Sequence, residues 1–369
     1  MKSKMPLFSY FYILLFILFI MSGCQNTHKT GRQAEKVRGL VDTTGFAHES
    51  WQMDSLMARI RLYEGDSLLP WEEKDFNWRV CISPHDDYTY VGYLYPAVLS
   101  HVRTPLVILF GVAHKARLLG LQDKIVAGTY TQYRGPWGNI TVSPLREEIL
   151  AQLDTSLYTV NDSMMGMEHS LEALLPFLQY FNRDLQIIPI LVPYMSYNRM
   201  QQISTALARS IKNVTQKHRL SWGTGYSLVI STDAVHYGDE DWGGKNYAPY
   251  GTDSAGLAEA VAHEQLIIDS TLAGPLSPER IRQFTRFTVQ EQDYKKYKWT
   301  WCGRYSVPFG LLTAWHLQQI TGAPPLQGER VGYRNSIDHT PLPVKDLHMG
   351  VTAPANPHHW VGYAAVGYR

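Results

Sequence analysis

The sequence predicts an α/β fold, a single domain with a mixed central sheet and helices on both faces. Three apolar runs rich in Val, Ile and Leu each end on a histidine, in residues 79–85, 106–114 and 227–236. Runs of this composition are typical of strands that are covered on both faces. Ligands of open α/β sheets gather beyond the carboxyl ends of the strands, so three such strands in one sheet would bring their histidines together.

Helical and strand patterns alternate along the chain, as crossover connections between parallel strands require. Residues 171–178 have leucines at the spacing of an amphipathic helix, in which Pro176 is expected to cause a kink. The other expected helices are in residues 88–102 (in places), 199–214, 254–272, from 277 onward and 307–320, and the other expected strands are 105–110, 185–192, 227–231 and a closing strand pair in 360–368.

The first 23 residues have the pattern of a lipoprotein signal peptide. Two lysines precede an apolar run from Leu7 to Met21, whose 15 residues are fewer than the about 20 that a membrane-spanning helix needs. Small residues and Cys24 follow, as in the recognition box of a lipoprotein signal peptidase. Cys24 would then carry the lipid and anchor the protein in a bacterial cell envelope, on the periplasmic side or at the outer surface. The alternative is a signal peptide that is cut elsewhere, with Cys24 incidental.

Residues 24–44 are expected to be the lipidated cysteine and a polar tether, because they have too few apolar positions to pack a core. Residues 45–369 would form one large domain, with no linker or repeat to divide them. Removal of residues 1–23 takes two lysines from 34 basic residues and leaves 32 against 33 acidic ones. This balance predicts no nucleic-acid partner and membrane contact through the anchor only, so the expected partners are small molecules or peptides.

Two cysteines remain after Cys24, and two interpretations of them exclude each other. In an oxidising envelope, Cys81 and Cys302 would form a disulfide. Cys81, however, precedes His85 by four residues of one strand, which is roughly 13 Å at about 3.3 Å per residue. A Cys302 beside His85 could hardly reach it. Cys302 also comes just before the helix of residues 307–320, a position that lowers a thiol pKa and favours the thiolate that binds metals.

Seven short motifs follow one another between residues 80 and 363. They are Ser83-Pro84-His85-x-x-Tyr88, Gly111-x-x-His114, Tyr130 with Pro136-x-Gly138, Glu168-His169-Ser170, Ser231-x-Asp233-x-x-His236, Cys302-Gly303-Arg304 and Val361-Gly362-Tyr363. This ordered set, far more specific than any single motif, resembles the Memo-like family, also called AmmeMemoRadiSam system protein B. The resemblance implies one α/β domain similar to the class III extradiol dioxygenases of the LigB type.

The resemblance also implies a pocket in which His85, His114 and Cys302 hold one iron or copper ion per chain. Two imidazoles and a thiolate suit copper, zinc or thiolate-ligated iron. The chain departs from the family pattern beside these positions. Asp86 and Asp87 replace the small residues that usually follow the first histidine, and His114 is followed by a lysine. These charges would alter metal preference and substrate charge. As for Asp86 and Asp87 themselves, a solvated turn is favoured over a role as metal ligands.

Other residues are placed in or near the pocket by the same resemblance. Asp233 and His236 would line it, with His236 as a general acid or base that Asp233 orients; the alternative is that Asp233 forms an Asx-turn. Glu168 and His169 match a motif near the pocket, although Glu168 and Ser170 could simply cap the following helix. Residues 358–359 are two histidines that we expect at the surface.

Two main hypotheses of function follow. In the first, the protein is a metal-dependent enzyme with redox or dioxygenase-like chemistry on a small molecule, because three protein ligands leave positions on the ion open. In the second, it is a non-catalytic lipoprotein that captures a metal or a peptide in the same pocket. A third, weaker hypothesis is that the two aspartates and the lysine abolish metal binding. Signatures of serine hydrolases, P-loop proteins and zincins are missing from the sequence.

Overall fold

Thirteen strands form one mixed sheet in the computed structural model, which describes residues 35–369. The strands are β1 (Val37–Arg38), β2 (Val80–Ser83), β3 (Leu106–Val112), β4 (Ile125–Ala127), β5 (Gln132–Tyr133), β6 (Ile140–Val142), β7 (Tyr158–Val160), β8 (Gln186–Val192), β9 (Tyr226–Ser231), β10 (His236–Gly238), β11 (Gly274–Pro275), β12 (Gln327–Asn335) and β13 (His359–Tyr368). Five parallel strands in the order β6-β8-β3-β9-β2 form its centre. β13 pairs antiparallel with β2, and β12 and β11 extend the antiparallel side.

Helices cover both faces of this sheet, as the sequence predicts. They are α1 (Ser50–Glu72), α2 (Tyr88–Val91), α3 (Leu94–Leu99), α4 (Leu145–Leu150), α5 (Asp162–Met167), α6 (Leu175–Phe181), α7 (Tyr197–Lys217), α8 (Ser254–Ile267), α9 (Pro278–Thr288) and α10 (Ser306–Thr321). Alternate strand residues point to opposite faces. Ile82, Ile108 and Ile230 therefore pack with α7 and α10 in one core. Leu109 and Val229 pack with α1, α3 and α6 in the other.

The register of three neighbouring strands brings their carboxyl ends to one place. β9 lies between β3 and β2, with Ile230 opposite both Phe110 and Ile82, and Ser231 opposite Ser83. Residues that follow these strands by two positions therefore leave the sheet side by side. The predicted alternation of buried parallel strands and helices is confirmed.

Several elements differ locally from the sequence expectation. Pro176 lies in the first turn of α6 and does not kink it, because the first turn has no helical partner for the N–H that proline lacks. Residues 359–368 form the single strand β13 and not a strand pair. Its glycines serve close packing, since a Cβ on Gly367 would lie 2.1 Å from the ring of Trp78. Helix α1 has no counterpart among the elements predicted from the sequence.

The compact unit begins at Lys36 and not at residue 45. β1 pairs with β5, and Arg38 is 2% exposed because its guanidinium forms a buried ion pair with Glu172. The last part of the expected tether is therefore packed through a charge, which a count of apolar positions does not detect. The expected signal peptide and Cys24 lie outside the described residues. Within residues 35–369, every helix is too short or too polar to cross a bilayer.

Candidate metal centre

His85 lies two residues beyond β2 and is 1% exposed. Its Nδ1 is 2.7 Å from the Ser231 hydroxyl, which itself donates to the carbonyl of Ser170 at 2.5 Å. A hydroxyl has a single proton, so Ser231 accepts from Nδ1–H and the Nε2 of His85 keeps its lone pair. Burial, followed by the nearby His114, holds the pKa of His85 well below its usual range. The ring is therefore neutral and fixed in the tautomer that can bind a metal through Nε2.

Two further atoms that could bind a metal lie close to this Nε2. Asp233 Oδ2 lies 3.3 Å from it, and Cys302 Sγ lies 3.5 Å from it. Asp233 Oδ1 accepts the backbone N–H of His85 at 2.9 Å, and the backbone N–H of Asp233 donates to Sγ at 3.0 Å. In a tetrahedral site with bonds of about 2.0 Å to N or O and about 2.3 Å to S, such donors are about 3.3 to 3.5 Å apart. The three side chains thus fit around one ion.

Cys302 is a buried thiol, in contrast to the thiolate expected from its position before a helix. Burial, followed by the carboxyl group of Asp233, raises the pKa of Cys302 well above its usual range. α10 begins only at Ser306, so the helix N-terminus is four residues away. Both Cys302 and Cys81 are free, and the disulfide is not formed. A thiolate at Cys302 therefore needs a cation, such as a metal ion, to replace its proton.

His114 lies two residues beyond β3, and Glu168 fixes its direction. Glu168 Oε1 is 2.8 Å from Nδ1, and Oε2 accepts the backbone N–H of His114 at 2.8 Å. Burial alone would raise the pKa of Glu168, but His114 and His169 outweigh it and lower the pKa to about 2. The carboxylate is ionised and can only accept, so Nδ1 carries a proton and Nε2 of His114 is free when the ring is neutral.

Neither Glu168 nor Ser170 caps the helix that follows. The Glu168 carboxylate accepts the backbone N–H groups of His169 and Ser170, both at 3.0 Å, and so tightens its own loop. The Ser170 hydroxyl donates to the carbonyl of Val112 at the end of β3. The structure thus uses both residues to tie the loop to the strand that presents His114.

A second set of possible ligands consists of His85, His114 and His169, whose ring nitrogens lie within 4.8 Å of one another. The rings of His114 and His169 are stacked, with centroids 4.8 Å apart. Burial, followed by His114, lowers the pKa of His169 to about 4. The first set, His85, Asp233 and Cys302, meets the same distance criterion. The three ligands implied by the family resemblance are therefore divided between two sets that share His85.

The sequence hypothesis expected Asp233 to orient His236, but the two side chains are not paired. Asp233 makes its side-chain contacts with His85, whereas His236 begins β10 opposite Val361. The ring of His236 lies beside Trp242, with centroids 5.3 Å apart, and its buried Nε2 has no hydrogen-bond partner within residues 35–369. Burial, followed by the charge of His114, lowers the pKa of His236 to about 3. The ring is therefore neutral, and with this pKa it is a weak base that accepts a proton only from an acidic donor.

Asp86 and Asp87 do not form the solvated turn that was one alternative. The Tyr363 hydroxyl donates to Asp86 at 2.7 Å, and Thr352 donates to Asp87 through its backbone N–H at 2.5 Å and through its hydroxyl at 3.1 Å. Burial raises the pKa of both carboxyl groups. The covering residues come from the end of the chain, more than 260 positions away, so local sequence could not predict this burial.

His114 lies in the wall of two cavities of opposite character. One cavity, of about 650 Å³, contains no lysine or arginine among its described lining residues and has five carboxyl groups, from Asp42, Asp86, Asp87, Asp233 and Asp241. The other, of about 430 Å³, has five cationic side chains and no carboxyl group among its described lining residues. Cys302 lines the cationic cavity, whereas His85, His169 and His236 line the acidic one.

Several residues of the acidic cavity were not predicted from the sequence, and His359 and Asp42 are two of them. His359 was expected at the surface, but it is 4% exposed and stacks on Trp242 with ring centroids 3.9 Å apart. Asp42 comes from the segment expected to be a tether. Its neighbour in sequence, Val41, donates a backbone N–H to Glu172, which holds the segment against the domain. An apolar run or a motif would have been the only sequence signal, and these positions have neither.

Comparison with known proteins agrees with the motifs. The sequence profile of the family described as Memo-like protein matches residues 48–341. A MEMO1 family protein of Saccharolobus islandicus is 31% identical over 163 residues, which cover 42% of this chain and 52% of the relative. MEMO1 family proteins of Pyrococcus furiosus and Pyrobaculum aerophilum are 28% identical over 169 residues and 26% identical over 167 residues. The chain spans about half the length of the curated relatives it matches. Because the profile covers most of the sequence, the chain belongs to the Memo-like protein family.

Proposed function

We propose that the protein holds one metal ion against His85 and uses it for redox or dioxygenase-like chemistry on a small molecule. The observation that supports this most directly is the approach of Cys302 Sγ and Asp233 Oδ2 to the free Nε2 of His85, at 3.5 and 3.3 Å. In this proposal Cys302 and Asp233 are further ligands, and His114 is the ligand from the neighbouring strand. A set with nitrogen, sulfur and oxygen donors suits iron or copper.

When bound, the ion would supply redox capacity and Lewis acidity. The protein residues would supply orientation and proton transfer. Ser231 keeps His85 in one tautomer, and Glu168 does the same for His114. His236, with its unpartnered Nε2 in the wall of the same cavity, would accept a proton from a substrate there. The burial of His85 and Asp233 would keep bulk water from the ion.

The metal is tested on the purified full chain, stripped with a chelator and reloaded with Fe(II) or Cu(I). Metal analysis is expected to find one equivalent in the wild type and in His316→Gln. His316 is the control because it belongs to neither ligand set and hydrogen-bonds to Thr205. His85→Ala should lose the ion under either ligand set. Cys302→Ser and His169→Gln distinguish the two ligand sets, because the proposal expects Cys302→Ser to lose the ion and His169→Gln to keep it. A wild type without metal, or a His85→Ala variant that keeps it, would contradict the proposal.

Catalysis is tested separately by oxygen consumption with catechol or thiol compounds. Turnover that His236→Gln abolishes while metal content stays at one equivalent supports the enzyme. Ligand binding without turnover in both proteins would favour the non-catalytic binding protein instead. The two measurements therefore distinguish loss of metal from loss of proton transfer.

We also propose that the protein is anchored in the cell envelope through a lipid on Cys24. The proposal is supported by the two lysines, the apolar run and the small residues that precede this cysteine. Labelling with a radioactive fatty acid should mark the wild type, and Cys24→Ser should move the protein from the membrane fraction to the soluble fraction. An unlabelled wild type would overturn the assignment.

A further inference from the structure

The cationic cavity beside His114 is a second feature that the metal centre does not explain. The cavity has a volume of about 430 Å³, and its wall includes His114 and Cys302. A molecule bound in it would therefore lie next to the candidate ion. The described lining residues carry no carboxyl group to balance their charge. The five cations are Arg117, Lys245, Lys295, Lys296 and Arg304.

Arg304 is the least exposed of these cations, with 7% exposure. Its guanidinium lies over the rings of Tyr297 and Tyr305, at 3.6 and 4.5 Å from their centroids. Its Nε is buried without a hydrogen-bond partner, and no carboxylate of residues 35–369 is within 4.0 Å of it. A buried charge that lacks a counter-ion is costly to the folded protein, so such groups are normally paired.

The other four cations have partners or are more exposed than Arg304, and Lys295 lies over the rings of Tyr194 and Tyr294. Arg117 donates to the carbonyl of Lys295, and Lys296 lies 3.6 Å from Asp293. Lys245 is exposed. Arg304 therefore remains as the buried donor group with unused hydrogen-bonding capacity. A guanidinium can bind a carboxylate or a phosphate through two parallel hydrogen bonds.

We propose that this cavity binds the anionic group, a carboxylate or a phosphate, of the small molecule on which the protein acts. The anion would bind Arg304, and the apolar part of the molecule would contact the flanking tyrosines and extend to His114 and Cys302. That the bound molecule is a substrate rests on the proposed function, but anion binding itself needs no metal. The cavity on the other side of His114 has no lysine or arginine among its described lining residues to bind such a group.

Calorimetric titration of the full chain, with and without metal, tests the proposal. Benzoate, inorganic phosphate and the neutral benzyl alcohol are the probes. We expect an anion to bind and the alcohol to bind at least tenfold more weakly, as for the loss of about one charge-assisted hydrogen bond. Stronger binding of benzoate assigns a carboxylate substrate, and stronger binding of phosphate assigns a phosphate ester.

Arg304→Gln should weaken anion binding by about tenfold or more while its metal content stays at that of the wild type. The matched control is Arg183→Gln, because Arg183 also lies over two aromatic rings, Trp137 at 3.5 Å and Tyr180 at 5.5 Å, but outside the cavity. If Arg304→Gln does not fold, Lys245→Met should still weaken binding about twofold to fivefold.

Equal affinity for benzoate and benzyl alcohol, or unchanged anion affinity in the variant that folds, would overturn the assignment of the cavity. Anion binding by a protein that takes up no metal would support the cavity and contradict the metal centre. The two failures are therefore distinguishable.

Discussion

Glu168 holds His114 at two points, because one carboxylate oxygen accepts the backbone N–H and the other accepts the ring Nδ1–H, each at 2.8 Å. The main chain and the side chain of one residue are thus fixed by a single group. This arrangement leaves only Nε2 to face the cavities. Carboxylates in this position are known to orient metal-bound histidines and to increase their basicity.

Glu168→Gln is expected to weaken metal binding by about 10- to 100-fold while the fold is retained. An amide offers one acceptor, so one of the two bonds to His114 is lost. A competition titration with a chelator measures the affinity. Glu148→Gln is the matched control, since Glu148 also bonds to a histidine, His218 at 2.9 Å, but on an exposed surface. Equal affinities in the two variants would show that Glu168 does not position a ligand.

Arg38→Met should lower the free energy of unfolding by about 3 to 5 kcal/mol, because it leaves the buried carboxylate of Glu172 without its partner. The double variant Arg38→Met/Glu172→Met should recover part of this loss, since it removes both charges. Urea unfolding of the single and double variants measures the coupling. Strictly additive effects would mean that the pair contributes nothing as a pair.

Glu264 should make stability depend on pH. It is fully buried and accepts hydrogen bonds from the indoles of Trp299 and Trp301 and from the backbone of Val235, with the Tyr333 ring nearby. Burial raises its pKa from 4.5 to about 7. The folded state therefore binds the proton more tightly than the unfolded state. This contribution is complete below about pH 4.5 and is lost as pH rises through about 7.

At roughly 1.4 kcal/mol for each unit of pKa, the loss amounts to about 3 kcal/mol. Glu264→Gln, which cannot ionise, should remove this part of the pH dependence. The measurement is the free energy of unfolding of both proteins at pH 5 and pH 8. The same fall in stability in wild type and variant would show that another group is responsible.

The two thiols of the domain should be free but protected. In a Cys24→Ser variant of the full chain, denaturation without a reductant should expose two reactive thiols, Cys81 and Cys302. Before denaturation both should react slowly, because burial raises the pKa of each. Titration with a thiol reagent gives the count. A count of zero after denaturation would mean that a disulfide forms.

The sequence predicted the parts of the fold that depend on local pattern. The buried strands and the amphipathic helices follow from periodicity, and the positions of His85 and His114 follow from the strand ends. The partners of these residues could not be predicted in the same way. Asp233 contacts His85 because β9 and β2 are in register, with Ser231 opposite Ser83. Without the register of these two strands, the sequence indicates His236, only three positions away, as the partner of Asp233.

Burial of polar groups was the other limit. Asp86 and Asp87 have the composition of a turn, and they are covered only because Thr352 and Tyr363 return from the far end of the chain. Arg38 is packed by the charge of a distant glutamate. Arg304 belonged to a motif, but its lack of a counter-ion is a property of the assembled cavity. Long-range pairing of charges leaves no periodic signal in a sequence.

Because His114 lies between an acidic and a cationic cavity, the two sides of the candidate metal centre differ in charge. An anion would be drawn toward the imidazole from the side of Arg304, whereas a metal cation on the other side would replace the protons that burial favours on Asp87 and Asp233. Among the described lining residues the two cavities share His114, so the two ligands would reach it from different sides. His114 therefore lies where oppositely charged reactants could meet, and a substitution in the wall of one cavity would leave the other described lining residues unchanged.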